Sequence, residues 1–120
     1  MSLVDINYSD MVKTLAKPGD NILKTLTPQD CHILHMAVGV SGESGELLDC
    51  IKKHVIYRKP LDMDNLIEEL GDLEFYMEGL RQTFDITREQ CLDANNIKLG
   101  TRYEGLKYSD TAAQIRADKQ

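Results

Sequence analysis

Apolar residues recur along this chain at helical spacing, and no stretch alternates convincingly with a period of two. In "TPQDCHILHMAVGVSGESGELLDCIKKHVIY", Ile33, Met36, Leu47, Ile51 and Val55 fall near one stripe. Thr27 stands as N-cap, Pro28 at the first helical position and Asp30 in the first turn, which predicts a long helix from 28 to about 57, ended by Arg58-Lys59-Pro60. Gly39 and Gly42 mark a bend or a tight contact near its middle. A second stripe, Leu66, Leu70, Leu73, Met77 and Leu80, predicts a helix over 62–82 capped by Asp62 or Asp64. A third begins at Thr87, which forms a capping box with Gln90 and is followed by Cys91, Ala94 and Ile97 on its apolar side. "YSDMVKTLA" reads as a shorter helix ended by Pro18-Gly19, and "DTAAQIRADKQ" as a weakly apolar tail, helical or frayed.

The expected fold is therefore all-α. Its two long helices, joined by a short connection, pack antiparallel in a helical bundle. With 120 residues and no repeat, low-complexity tract or long linker, residues 1–120 read as one domain with a core over about 27–104. Hydrophobic residues make up 42% of the chain but include two Phe and no Trp, a thin core that points to further burial by oligomerisation into a homodimer or homotetramer.

Charge and targeting narrow the partners. A net charge of −6 disfavours nucleic acid and anionic membrane surfaces. No apolar run reaches the roughly 18–20 residues of a membrane span, and "MSLVDINYSD" lacks a signal-peptide pattern, so the expected compartment is the cytoplasm. Cys31, Cys50 and Cys91 are odd in number and far apart, and read as small apolar fillers rather than as a disulfide or zinc framework.

The chemistry lies in two acidic pairs. Glu43 and Glu46 in "SGESGELLDC", and Glu69 and Asp72 in "LIEELGDLEFY", are each three residues apart and share a helix face. Counted from a turn near Lys59-Pro60, the first pair lies about 15 residues before it and the second about 11 after, an offset of ~6 Å at helical rise, so a hairpin brings all four to nearly one level. Facing carboxylates repel and resist desolvation unless a cation sits among them, and an all-oxygen set suits Mg²⁺, with Mn²⁺ as a substitute, rather than zinc. Gly45 and Gly71 beside the pairs would let a helix or a ligand approach closely, at about 1 kcal/mol each in helix propensity. The same spacing also arises on a solvated acidic face, and Glu68, Glu74 and Glu78 show how acidic this helix is. Lys53, seven residues beyond Glu46, falls close to the same stripe and could bring an ammonium to a phosphate or simply be solvated beside Lys52. His32 and His35 have no matching carboxylate on their face and do not read as a metal site, while His54 is expected exposed or at the helix end.

At these residues the chain resembles the MazG-like family of all-α nucleoside triphosphate pyrophosphohydrolases. "ESGE" and "ELGD" fit its Glu-x-x-Glu and Glu-x-x-Asp signature, and "NNIKLGTRY" is similar to a later family element, so the likeness spans about residues 31–104. The resemblance implies Mg²⁺-dependent cleavage of a nucleoside triphosphate between its α and β phosphates, giving monophosphate and pyrophosphate. It implies metal ligation by Glu43, Glu46, Glu69 and Asp72, with Glu46 or another of these, such as Glu43, accepting the proton of the attacking water. It also implies sugar or phosphate contacts from Asn95 and Lys98, a place for His35 at the base or sugar pocket, and either a substrate contact or a structural role for Arg102. One departure stands out: Glu74 and Phe75 occupy positions where the family usually has an apolar residue followed by Trp. Within the same superfamily, dUTPase-like and phosphoribosyl-ATP pyrophosphohydrolase activities are the alternatives, and from another class a noncatalytic acidic adaptor. No adjacent His-Asp pair, P-loop, His-Glu-x-x-His or Gly-x-Ser-x-Gly occurs.

Overall fold

The computed structural model describes residues 5–119, and among them the regular structure is entirely helical. The chain divides into two compact units, Met1–His32 and Ile33–Gln120. In the first, Asn7 caps α1 (Tyr8–Leu15) by accepting from the Asp10 amide at 3.1 Å. Beyond Pro18, a further short helix, α2 (Gly19–Thr25), forms where the sequence showed only a helix end. Its first residues, Gly19, Asp20 and Asn21, are weak helix formers, and no side chain caps it, so local composition gives no warning of it.

The division falls inside α3 (Pro28–Val55), whose start matches its sequence signals. Thr27 Oγ1 accepts from the Asp30 amide at 3.0 Å, and Asp30 Oδ2 accepts from the Thr27 amide at 3.0 Å, a reciprocal cap. The helix ends at Val55, where Arg58 adopts a left-handed φ of 56° and His54 Nδ1 donates to the Lys59 carbonyl at 2.8 Å.

In the second unit, Asp62 rather than Asp64 caps α4 (Met63–Thr83), accepting from the Asn65 amide at 3.0 Å. The Thr87/Gln90 capping box opens α5 (Arg88–Arg102) as expected. The tail is helical: α6 spans Asp110–Ile115 behind an Ser109 cap, and a 3₁₀ turn follows over Ala117–Lys119.

Two close approaches set the register of α3 against α4. A methyl group at Gly39 would overlap the ring of Tyr76, and one at Gly79 would overlap the Met36 side chain. These contacts run antiparallel along the pair, and continuing them places Glu43 opposite Asp72 and Glu46 opposite Glu69. The offset counted from the turn is absent because the hairpin axis lies nearer Tyr57 than Pro60. The tight contact expected near the middle of α3 is found at Gly39 and not at Gly42, and Gly79 makes a second. Within the chain nothing lies within 4 Å of the space a side chain would take at Gly45 or Gly71, so no helix of this chain makes the close approach expected there.

Among the described residues only Met36 and Cys50 are buried, at 6% and 5% exposure. Cys31 and Cys91 are exposed, so of the three thiols Cys50 alone acts as core filler. No described helix is long and apolar enough to cross a membrane.

Candidate metal centre

The hairpin register brings three of the four acidic residues together. Glu43 from α3, with Glu69 and Asp72 from α4, each place a carboxylate oxygen within 4.8 Å of the other two. Glu43 and Glu69 are half-buried, and Asp72 is exposed. Glu46, one turn along α3, is exposed and lies outside this trio, though its charge still acts on Glu69. Three residues' spacing keeps each pair on one face, but it does not fix which rotamer each side chain takes, and so does not decide which carboxylates converge.

Glu69 sits in the least favourable surroundings for its charge. Its Oε2 is buried and has no hydrogen-bond partner. Burial first, then the neighbouring Glu43, and after it the charges of Glu46 and Asp72, push its carboxyl above the usual range. A buried carboxylate oxygen without a donor is an unfavourable arrangement that natural structures rarely keep without a proton or a cation to compensate. The set is all oxygen, which suits a hard divalent ion, and the residues therefore fit such an ion.

Around the trio the other sequence candidates sit in varied company. Lys53 Nζ pairs with Asp49 Oδ2 at 3.0 Å, one helical turn away, and that contact raises the lysine above its ordinary value. Asp49 escaped the sequence reading, although its i,i+4 spacing to Lys53 was there to be seen. Lys53 also lines a surface cavity of about 340 Å³ with Cys50, Lys59 and Asn65 at the hairpin end. His35 is exposed and meets the Tyr76 ring edge-on, with centroids 6.0 Å apart. His32 is exposed, and neither histidine belongs to a metal-ligating group among the described residues.

Asn95, Lys98 and Arg102 form a group of their own on α5, the first exposed and the other two half-buried. Arg102 is engaged within the chain: Nε donates to Asp118 Oδ1 at 2.9 Å and Nη2 to Oδ2 at 3.4 Å. A partner sixteen residues away in a weakly patterned tail carries no local signal, which is why Asp118 was missed. Glu74, the departure noted above, has a partner in Arg81, whose Nη2 lies 3.4 Å from Glu74 Oε2 while its Nε donates to Glu78 Oε1 at 3.0 Å. Phe75 is 67% exposed and stands edge-on to Tyr76 at 5.2 Å.

Compared with known proteins, the chain matches no family model, no curated protein and no solved structure.

Proposed function

We propose that the chain is a MazG-like nucleoside triphosphate pyrophosphohydrolase, cleaving its substrate between the α and β phosphates with Mg²⁺, or Mn²⁺ in its place. The observation that carries this reading is the meeting of Glu43, Glu69 and Asp72 around a buried, unpartnered Glu69 oxygen. The likeness of residues 31–104 to that family's signature supplies the reaction; the acidic trio is the part of it with a geometric counterpart here.

Each residue then has a task. Glu69 and Glu43, half-buried, would hold the ion from two helices, and Asp72 would add the exposed third ligand. A divalent ion bound there would offset phosphate charge and lower the pKa of the attacking water. Glu46 faces Glu69 across the hairpin from an exposed position, where it can join the ligand set or accept the water's proton. Lys53, with its ammonium held by Asp49, faces the triphosphate tail, while Asn95, Lys98 and Arg102 supply sugar and phosphate contacts and His35 borders the base.

A cytoplasmic homo-oligomer, dimer or tetramer, is part of the same proposal. Leu34, Val38 and Leu48 stand out on one side of α3 at 57%, 60% and 67% exposure, and Ile67 and Phe75 on α4 at 61% and 67%. Gly45 lies within the first of these stripes and Gly71 within the second, where both leave room for a neighbouring subunit's backbone. Apolar faces this extensive are rare on a monomer.

The test is a screen of common and modified ribo- and deoxyribonucleoside triphosphates with Mg²⁺, resolving pyrophosphate from orthophosphate. Pyrophosphate with the matching monophosphate is expected. Orthophosphate as the first product, or no turnover of any triphosphate, would overturn the reading.

A further inference from the structure

The segment after α5 carries backbone strain and is tied back to α5 by an ion pair. Gly105 and Leu106 take left-handed φ values of 69° and 57° in succession, turning the chain so that α6 and the final 3₁₀ turn pack back against α5. Gly105 adopts that conformation without penalty, but Leu106 does not, and neither does Arg116, left-handed at φ 51° between α6 and the last turn. Such residues persist only where surrounding contacts hold them. Here the contacts include the Tyr103 and Tyr108 rings, with centroids 5.7 Å apart, and the Arg102–Asp118 pair, whose side chains are 15% and 6% exposed, so the pair is shielded from water.

The carboxylate on Arg102 uses the guanidinium edge, Nε and Nη2, in the two-pronged geometry that a phosphate would also use. Both ligands cannot occupy that edge together. We infer that residues 104–119 form a latched strap, in which Asp118 occupies the anion-binding fork of Arg102 until a polyphosphate displaces it and the strap leaves α5. This rests on the proposed placement of Arg102 among the substrate contacts. Removing Asp118 without replacement would leave a shielded guanidinium unpaired. Exchanging it for phosphate keeps Arg102 paired and lets Leu106 and Arg116 relax. The free protein therefore withholds Arg102 from weak anions and yields it to a multiply charged one.

Two neighbouring substitutions that change no charge test this in the full chain, with inorganic tripolyphosphate as probe and calorimetric Kd as readout, without metal or nucleotide. Leu106→Gly removes strain from the closed strap and should raise Kd about threefold or more. Gly105→Ala, which meets nothing within 4 Å and adds only the strain of a left-handed alanine, should lower Kd by about as much. In the unsubstituted protein, tripolyphosphate should also speed hydrogen exchange of the amides in 110–119. Equal Kd values in all three proteins, shifts of the opposite sense, no binding, or unchanged exchange would overturn the strap. Because no turnover enters, a protein that releases no pyrophosphate but shows the two opposed shifts would keep the latch and lose the proposed enzyme.

Discussion

Glu69 and Asp118 are both acidic residues brought beside charged neighbours, and their surroundings push them in opposite directions. Glu69 is raised chiefly by burial, with carboxylates around it and no donor to its Oε2. Asp118 is lowered, first by its hydrogen bond from Arg102. The consequences differ. Under the proposed function, Mg²⁺ at about 100 times its dissociation constant should stabilise the unsubstituted protein by ~2.7 kcal/mol, read as a shift in thermal midpoint, and Glu69→Gln should leave the fold intact and abolish that shift. For Asp118 the folded value lies below the unfolded one, so its contribution is fully present above the ordinary aspartate range. It is lost as pH falls from there through the depressed value. Amides of 110–119 should thus lose exchange protection in that acidic window, and Asp118→Asn should remove the pH dependence.

At the scale of the elements, helix starts are local and helix contacts are not. Thr27, Asp62 and Thr87 all cap where their residue types indicate, because an N-cap needs only a side-chain oxygen and an amide three residues on. Which glycine is squeezed depends on what stands across from it. Gly39 and Gly42 look alike in the sequence, yet one abuts Tyr76 and the other abuts nothing within the chain. Gly39→Ala should therefore destabilise by about 1–3 kcal/mol through overpacking. Gly100→Ala, on α5 with no neighbour within 4 Å, should stabilise by about 1 kcal/mol through helix propensity. Denaturant midpoints of the two variants check both signs.

For the whole molecule, two buried residues among those described are too few to hold long helices together in isolation. The outward stripes of α3 and α4 suit an interface between copies of the chain, and a stable one needs roughly 1,200–2,000 Å² of total buried area. Leu48→Glu, on the α3 stripe, should shift the proposed homo-oligomer to monomer by light scattering. It should also lower the thermal midpoint, since association of the proposed subunits would add to stability by mass action. An unchanged mass would count against this face.

From the sequence alone came the all-helical class, the caps, the extents of the two long helices to within a few residues, the start of the third, and the grouping of acids into two pairs. All of these rest on interactions within a turn or two of the chain, where spacing stands in for distance. The tertiary structure decided the rest: which carboxylates converge, that Glu46 stays outside the trio, that Glu69 carries the orphaned oxygen, and that Arg102 is already occupied by Asp118. Those outcomes depend on the register of α3 against α4 and on a chain reversal at Gly105 and Leu106, and both are set by contacts between residues far apart in sequence.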